Sequence, residues 1–462
     1  MVVKTKNLKP IFPFFIMLLG LFAISLNTNL IKVALPFLMD EYQIDTTRLI
    51  WVAISYTFFQ AVLTPVLGKL GDKREHNKII IIGYVIFLSG SIVGVMAKSF
   101  YSILLARSIQ GIGAAAVLPN TIISAPTIFP KNRRGWAIGM LTSTTASAAF
   151  MGPAIGGLLM EFTGWRSLFL INIPITLLVF TMFFSYGKKR QQISPESSVA
   201  PDLQKAAGIS LILGCWIITL NIGVYYGWKS LLFLILLMVF LVLLFVFYWQ
   251  EKKCEKHFID LKLFLNKHLS ASFLSGVLNF SIKYSIAFVL PLLMAIEYGM
   301  SPGQIGLFLA LTNICRFFVT PFSGNFWDKS GSCLPVKLGF IMLFLAQFFL
   351  YSYIRVIFKG SLYLSMVLLG IGSGLVDTPA VSTVRENSPR DLQGTIIGFY
   401  FSIRYIAGIT VQIILGLFLQ PLHKNMLLYQ SSPIFNRAFK FMALIVFLGY
   451  LISKALPGKS HE

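Results

Sequence analysis

Charge is what this chain has least of. Asp, Glu, Lys and Arg make up 12% of its 462 residues, about half the share of an ordinary globular protein. Acids are scarcer than bases, 17 against 39. The resulting net charge of +22 would suit a nucleic-acid binder. The bases, however, sit in short loops between apolar runs and form no long basic face, so no nucleic-acid partner is expected. Retention on one side of a membrane explains them better. Cysteine is equally sparse. Cys215, Cys254, Cys315 and Cys333 show no CxxC spacing, which indicates neither a disulfide framework nor a zinc site. The five histidines (His76, His257, His268, His423, His461) all fall in predicted loops or the tail. With no nucleophile–base set, metal-ligand cluster or phosphate loop, an enzyme is not indicated, and no metal or cofactor is expected. Lys4, Lys6 and Lys9 precede an apolar run as in a signal peptide. That run extends to about Val33 and lacks a small-residue cleavage site, so it reads as a retained first helix.

What the chain has is apolar length. Hydrophobic residues make up 56% of it, and they fall into about fourteen runs long enough to cross a bilayer. The pattern predicts an all-α membrane protein arranged as six, two and six helices. Residues 1–190 form the first six-helix bundle, and 191–250 a linker with two additional transmembrane helices. Residues 251–269 form a cytoplasmic interfacial segment, in which Phe258, Leu261 and Leu265 recur at helical spacing, and 270–462 form the second bundle. With the N-terminus in the cytoplasm, the loops after even-numbered helices face inward. They carry Lys73, Arg74, Lys78, Lys131, Arg133, Arg134, Lys188, Lys189 and Arg190, while Asp40, Glu41 and Asp45 face outward. This obeys the positive-inside bias and places both termini in the cytoplasm. Lys424 and Arg437, in the last outward loop, depart from it.

Two stretches repeat. Gly68 to Lys78 reads Gly-Lys-Leu-Gly-Asp-Lys-Arg-Glu-His-Asn-Lys between two apolar runs, and Gly324-Asn-Phe-Trp-Asp328-Lys329-Ser-Gly331 takes a matching place later. In both, a Gly leads, an Asp follows four residues on, and a Lys comes next. Glycine permits a tight turn and close helix approach. Asp72 is placed to cap or pair, and Lys73 and Arg74 can pair with it or with anionic lipid heads. One copy alone reads equally well as a generic basic loop. The recurrence predicts a gating element in a duplicated transporter. Arg107, in Leu104-Leu-Ala-Arg107-Ser-Ile-Gln110-Gly111-Ile-Gly113, sits inside a membrane helix. It is either paired there or snorkels to the outer surface. Gly152, Pro153, Gly156 and Gly157 in the fifth run predict a bent helix under tight packing.

Ionised groups inside the runs are few. Asp377 is the one carboxylate clearly within a run, against Lys283, Arg316 and Arg404 near mid-depth. An intramembrane charge points to function. Asp377 is the leading candidate to carry a proton. The plainer readings are that it neutralises one of the bases, or that it caps a helix break before Pro379.

Taken together these stretches resemble the major facilitator superfamily, and within it the fourteen-helix drug:proton antiporter family. Gly68–Lys78 resembles the family's loop motif, with Glu75 where a Gly is usual. Leu104–Ala114 resembles the helix 4 motif, and Gly152-Pro153-Ala-Ile-Gly156-Gly157 the helix 5 antiporter motif. Leu26-Asn-Thr-Asn-Leu-Ile-Lys32-Val-Ala-Leu-Pro36 resembles the helix 1 motif, and Gly164-Trp165-Arg166 with Asn172-Ile-Pro174 the start of helix 6. The resemblance covers the whole chain. It implies a major facilitator fold and a monomeric, proton-coupled exporter of a small organic solute in the cell membrane. Its gating residues would be Gly68, Asp72, Lys73, Arg74, Arg107, Gly111, Gly152, Pro153, Gly156 and Asp328. Many drug exporters of this family carry an acid in the helix 1 motif, where this chain has Asn27 and Asn29. A lipophilic cation needs cavity acids to offset its desolvated charge. The missing acid and the three bases therefore lean towards an anionic substrate met by Lys283, Arg316 and Arg404, with Asn27 and Asn29 as further contacts. Multidrug cation efflux, and metabolite uptake or uniport on the same fold, stay open. So does a receptor or scaffold without solute turnover.

Overall fold

The computed structural model describes residues 11–74, 76–129, 134–187, 203–253, 261–356, 359–388, 393–419 and 432–458. Among them lie fourteen long helices: α1 (Ile11–Glu41), α2 (Thr46–Arg74), α3 (His76–Val95), α4 (Phe100–Ser124), α5 (Arg134–Thr163), α6 (Asn172–Gly187), α7 (Leu203–Tyr226), α8 (Leu231–Lys253), α9 (Lys267–Ile296), α10 (Pro302–Ser330), α11 (Cys333–Val356), α12 (Lys359–Glu386), α13 (Gln393–Leu419) and α14 (Ser432–Ser453). Twelve are long and apolar enough to cross a membrane. Of the other two, α5 is long but rich in Gly, Ser and Thr, and the described part of α6 is apolar but shorter. The protein is a multi-pass, all-α membrane protein. It divides into two compact units, Met1–Ala34 with Trp51–Leu211, and Leu35–Ile50 with Ile212–Glu462.

The helices start where local chemistry tells them to. At α4, Ser99 and Ser102 cap one another's backbone amides reciprocally. At α10, Ser301 and Gln304 do the same, with Pro302 in the first turn where its missing N–H costs nothing. Asn266 caps α9 by accepting from the amides of His268 and Leu269. Gly331 ends α10 at φ +72°, a conformation that glycine alone adopts without strain.

Several expected boundaries move. The stretch read as a loop from Gly68 to Lys78 is mostly helix, because α2 runs to Arg74 and α3 begins at His76. Likewise α10 continues through Asp328 to Ser330. Helices of 29 residues span about 44 Å, the thickness of a bilayer with its headgroups, at about 1.5 Å per residue; the polar ends of both stretches are therefore helix ends. The side chains of Asp72, Lys73, Arg74 and Asp328, and all of Glu75, lie outside the described residues. In the expected interfacial segment, Phe258 also lies outside them. Leu261–Leu265 is a short 3-10 turn whose Leu263 and Phe264 pack inward against Leu269, Phe273 and Tyr400. The helix break considered before Pro379 is absent, since α12 passes through it, and α5 is likewise continuous through Pro153.

Glycines seat the helices, and the pattern repeats. In α4, a Cβ on Gly111 would lie 2.4 Å from the carbonyl oxygen of Tyr56 on α2, and one on Gly113 would lie 2.7 Å from that of Gly83 on α3. In α12, a Cβ on Gly370 would lie 2.3 Å from the carbonyl oxygen of Thr312 on α10, and one on Gly372 would lie 2.7 Å from that of Gly339 on α11. Gly68 faces Pro119 and Gly324 faces Thr378, each with a nearest approach of 3.6 Å. The two units thus use one internal scheme of helix contacts. Such contacts leave no room for a side chain. Gly113→Leu and Gly372→Leu are each expected to destabilise the protein by at least about 1–3 kcal/mol, read as a lowered unfolding midpoint in detergent. An unchanged midpoint would mean that the helices do not pack on these glycines.

Candidate functional site

In the second unit the glycine scheme brings four charged side chains together. Gly370 and Gly374 on α12 lie against the backbone of Arg316 on α10, with a Cβ at either coming within 3.2–3.3 Å of it. Asp377 follows Gly374 by about one helical turn. Its Oδ2 accepts from Lys283 Nζ of α9 at 2.6 Å. Its Oδ1 accepts from Arg404 Nη2 of α13 at 3.1 Å and from Asn279 Nδ2 of α9 at 3.0 Å. Arg316 lies within electrostatic reach of Asp377, Arg404 and Lys283. The pair is not sealed. The side chains of Asp377 and Lys283 are 21% and 18% exposed, whereas that of Arg404 is 6% exposed.

Aromatic rings surround the bases. The guanidinium of Arg404 lies 4.7 Å from the ring of Phe280, 5.1 Å from Tyr400 and 5.4 Å from Phe401. The ammonium of Lys283 lies 5.3 Å from Phe280. Phe280 stacks on Tyr284 and meets Tyr405 edge-on. A ring face attracts a cation, so the rings help hold Arg404 and Lys283 in place. α12 is continuous here, so Asp377 caps no helix break. It neutralises bases, as one reading expected, but it binds two of them directly.

The first unit carries an amide network that also holds one buried guanidinium, Arg107. Asn27 Nδ2 of α1 donates to Gln110 Oε1 at 3.2 Å, and Arg107 Nη1 donates to the same oxygen at 3.2 Å. Gln110 Nε2 donates to Ser91 Oγ of α3, and Asn172 Nδ2 at the start of α6 donates to Asn27 Oδ1 at 3.0 Å. Arg107 lies 4.5 Å over the ring of Tyr56 and is fully buried, so it does not snorkel to the surface. Asn29 is engaged locally: it donates to Ser25 O and accepts from Lys32 Nζ. Gly152 and Gly156 of α5 lie against Asn29 and Leu30 of α1. Buried Asn120 donates to Leu67 O of α2, and its Oδ1 lies 2.7 Å from His76 Nδ1, so one side chain ties together the ends of α2, α3 and α4 beside Gly71.

The shared scheme aligns the two halves. Gly20 of α1 and Gly276 of α9 are as far apart in the chain as Gly83 and Gly339; each receives a tyrosine hydroxyl end, though from helices that do not correspond, Tyr84 of α3 and Tyr400 of α13. At that spacing Lys283 takes the place of Asn27. Asp377 similarly takes the place of Leu118 by the spacing of Gly111 and Gly370. At these two positions the ionised groups of the cluster have neutral counterparts in the first unit. Asn279 and Phe280 were missed in the sequence because nothing marks a neutral amide or a ring inside an apolar run. The Gly-Ile-Gly in both α4 and α12 could have been seen.

Comparison with known proteins agrees with this architecture. The family profile of the Major Facilitator Superfamily matches residues 17–206 and 203–411. The chain is 25% identical over 461 residues to the riboflavin transporter RibZ of Clostridioides difficile, covering 97% of each. It is 27% identical over 404 residues to the multidrug resistance protein Stp of Mycobacterium tuberculosis, covering 86% of this chain and 74% of that one. A crystal structure of a POT family transporter in complex with 5-aminolevulinic acid has the same fold, with a TM-score of 0.69, 15% identity and 96% of each chain covered. A repeated glycine scheme in two helical units and a match along most of the chain lead to one assignment: this protein belongs to the major facilitator superfamily.

Proposed function

We propose that the protein is a secondary active transporter of a small organic anion, coupled to protons through Asp377 and working by alternating access. One observation carries the reading: Lys283 and Arg404 pair with a single acid, Asp377, and Arg316 lies within electrostatic reach of it. With all four ionised, positive charge is in excess in a low-dielectric place, and that is costly unless an anion compensates it. The guanidinium fork suits a carboxylate or phosphate. The partial exposure of Lys283 and Asp377 leaves them reachable by a solute. Asn27 and Asn29, bound to neighbours in the first unit, hold α1 in place in this reading. Outward transport is supported by the glycine motif of α5 seated on α1 and by the naming of Stp as a multidrug resistance protein. RibZ, a riboflavin transporter, supports a small organic solute. The concentration of bases in one set of loops supports a cell-membrane location with both termini in the cytoplasm.

Multidrug efflux of lipophilic cations is the second reading, favoured by Stp. Against it stands Asp377, whose carboxylate is already bonded to Lys283, Arg404 and Asn279. Flux of small carboxylates into proteoliposomes containing the purified protein tests the proposal. Saturable carboxylate flux is the expected result, and flux of cations alone would overturn it.

The gating role of Gly68–Lys78 and Gly324–Gly331 belongs to the same proposal. Asp72→Asn is expected to reduce flux severalfold while the purified yield and unfolding midpoint stay unchanged, and Asp328→Asn to reduce it less. Undiminished flux in Asp72→Asn would show that this helix end does not gate.

A further inference from the structure

We infer that a proton on Asp377 and an anion on Lys283, Arg316 and Arg404 favour one another, so that the proton travels with the solute, and that Asn279 serves both protonation states of Asp377. The inference rests on the anion site proposed above and adds the sense of its coupling.

The acid and an arriving anion share donors. Both oxygens of Asp377 are occupied, Oδ2 by Lys283, and Oδ1 by Arg404 and Asn279. A solute carboxylate that binds Lys283 and Arg404 draws on the same N–H groups. Each donor turned to the solute is lost to Asp377, and its carboxylate becomes easier to protonate. Conversely, a proton on Asp377 removes the negative charge nearest Lys283 and leaves three bases facing the solute. Thermodynamic reciprocity makes these two statements one coupling free energy.

Among the described residues, the titratable groups facing Asp377 come from three helices. α9 contributes Lys283 and Tyr284, α10 contributes Arg316, and α13 contributes Arg404 with Tyr400 and Tyr405. α11 meets α12 through Gly339 and Leu343 and brings no charged group to the cluster among the described residues. The count of charge then closes. The empty site has three bases and one acid, and a proton together with a monoanion leaves that excess unchanged. Empty and loaded forms therefore carry equal charge through the conformational cycle. A proton alone, or an anion alone, does not achieve this.

Asn279 is fully buried. Its Nδ2 donates to Asp377 Oδ1 and to Ser373 O, while its Oδ1 has no partner among the described residues. An amide carries donors on one side and an acceptor on the other. In the present orientation it stabilises the carboxylate. Turned about its last side-chain bond, it accepts the O–H of the carboxylic acid. Asn279 is thus a positioning residue for the proton site.

The consequence is a sense of coupling opposite to antiport. Proton and solute bind together rather than in turn, so outward transport would run on the solute's own gradient, and an inward proton gradient would oppose it.

Calorimetry on the full chain in detergent tests this, with benzoate and a set of small carboxylates as probes and buffers of differing ionisation enthalpy to count protons. Above about pH 5.5 the probes stay ionised. The expected result is affinity that strengthens as pH falls, by at most about tenfold per unit for one proton, with protons taken up on binding. Asp377→Asn should bind with the acid-limit affinity at every pH and take up no proton. Asn279→Leu should keep the sense of the dependence but shift its midpoint; an unshifted midpoint would remove Asn279 from the account. Affinity that is flat or weaker at low pH, or proton release on binding, would overturn the coupling. Binding of none of the carboxylates by wild type and by Asp377→Asn would overturn the anion site beneath it.

Discussion

Asp377→Asn is expected to leave solute exchange across the membrane running while abolishing its response to a proton gradient. The amide keeps the size of the carboxyl group, and its oxygen can still accept from Lys283 or Arg404. It cannot take a proton in the working pH range. Removing one partner of a sealed buried ion pair costs about 3–5 kcal/mol. Here Asp377 and Lys283 are each about one-fifth exposed, and screening reduces that cost. The variant should therefore fold. The measurement is a pair of fluxes from one preparation of proteoliposomes: counterflow of labelled solute without a gradient, and flux under an imposed pH difference. Counterflow within severalfold of wild type, with the pH-driven component gone, is the expected pattern. A pH-driven component that survives in Asp377→Asn would place the coupling proton elsewhere.

Lys283→Ala should have the larger effect on solute affinity. The ammonium lies 2.6 Å from Asp377 Oδ2 and 5.3 Å from the ring of Phe280, and it is partly exposed, so an arriving anion can reach it. A hydrogen bond to a charged group contributes about 1.5–3 kcal/mol, which corresponds to about a 10- to 150-fold loss of affinity. Asp377 would remain bonded to Arg404 and Asn279, so the cluster should keep its place. Lys283→Arg, which restores a cation with a different donor geometry, should recover part of the affinity. An unchanged dissociation constant for carboxylates in Lys283→Ala would show that the ammonium serves the ion pair alone.

The charged residues were legible because an ionised group inside an apolar run has to be compensated somewhere. Lys283, Arg316, Asp377 and Arg404 stand out for that reason. That they meet was not legible. The meeting depends on which faces of α9, α10, α12 and α13 turn towards one another, and this is set by glycine contacts such as Gly374 against Arg316. The same holds for Arg107. Its charge marked it, but its partner Gln110 and the ring of Tyr56 come from its own helix and from α2, so the sequence left snorkelling open beside burial. Fourteen runs were countable in the sequence, since apolar length is local information. Their ends were not, because helices such as α2 and α10 continue past the hydrocarbon into polar residues. The Gly-Ile-Gly in α4 and α12 is the more informative signal. It marks the repeat more strictly than the Asp72 and Asp328 stretches do, because each glycine has a defined partner backbone.

Whether the cluster around Asp377 is an anion site is decided by flux in proteoliposomes, comparing small carboxylates with a permanent quaternary ammonium in wild type and in Lys283→Ala. The expected result is saturable carboxylate flux in wild type, its loss in Lys283→Ala, and little flux of the cation in either. Strong transport of the quaternary ammonium, unaffected by Lys283→Ala, would contradict it and favour multidrug efflux.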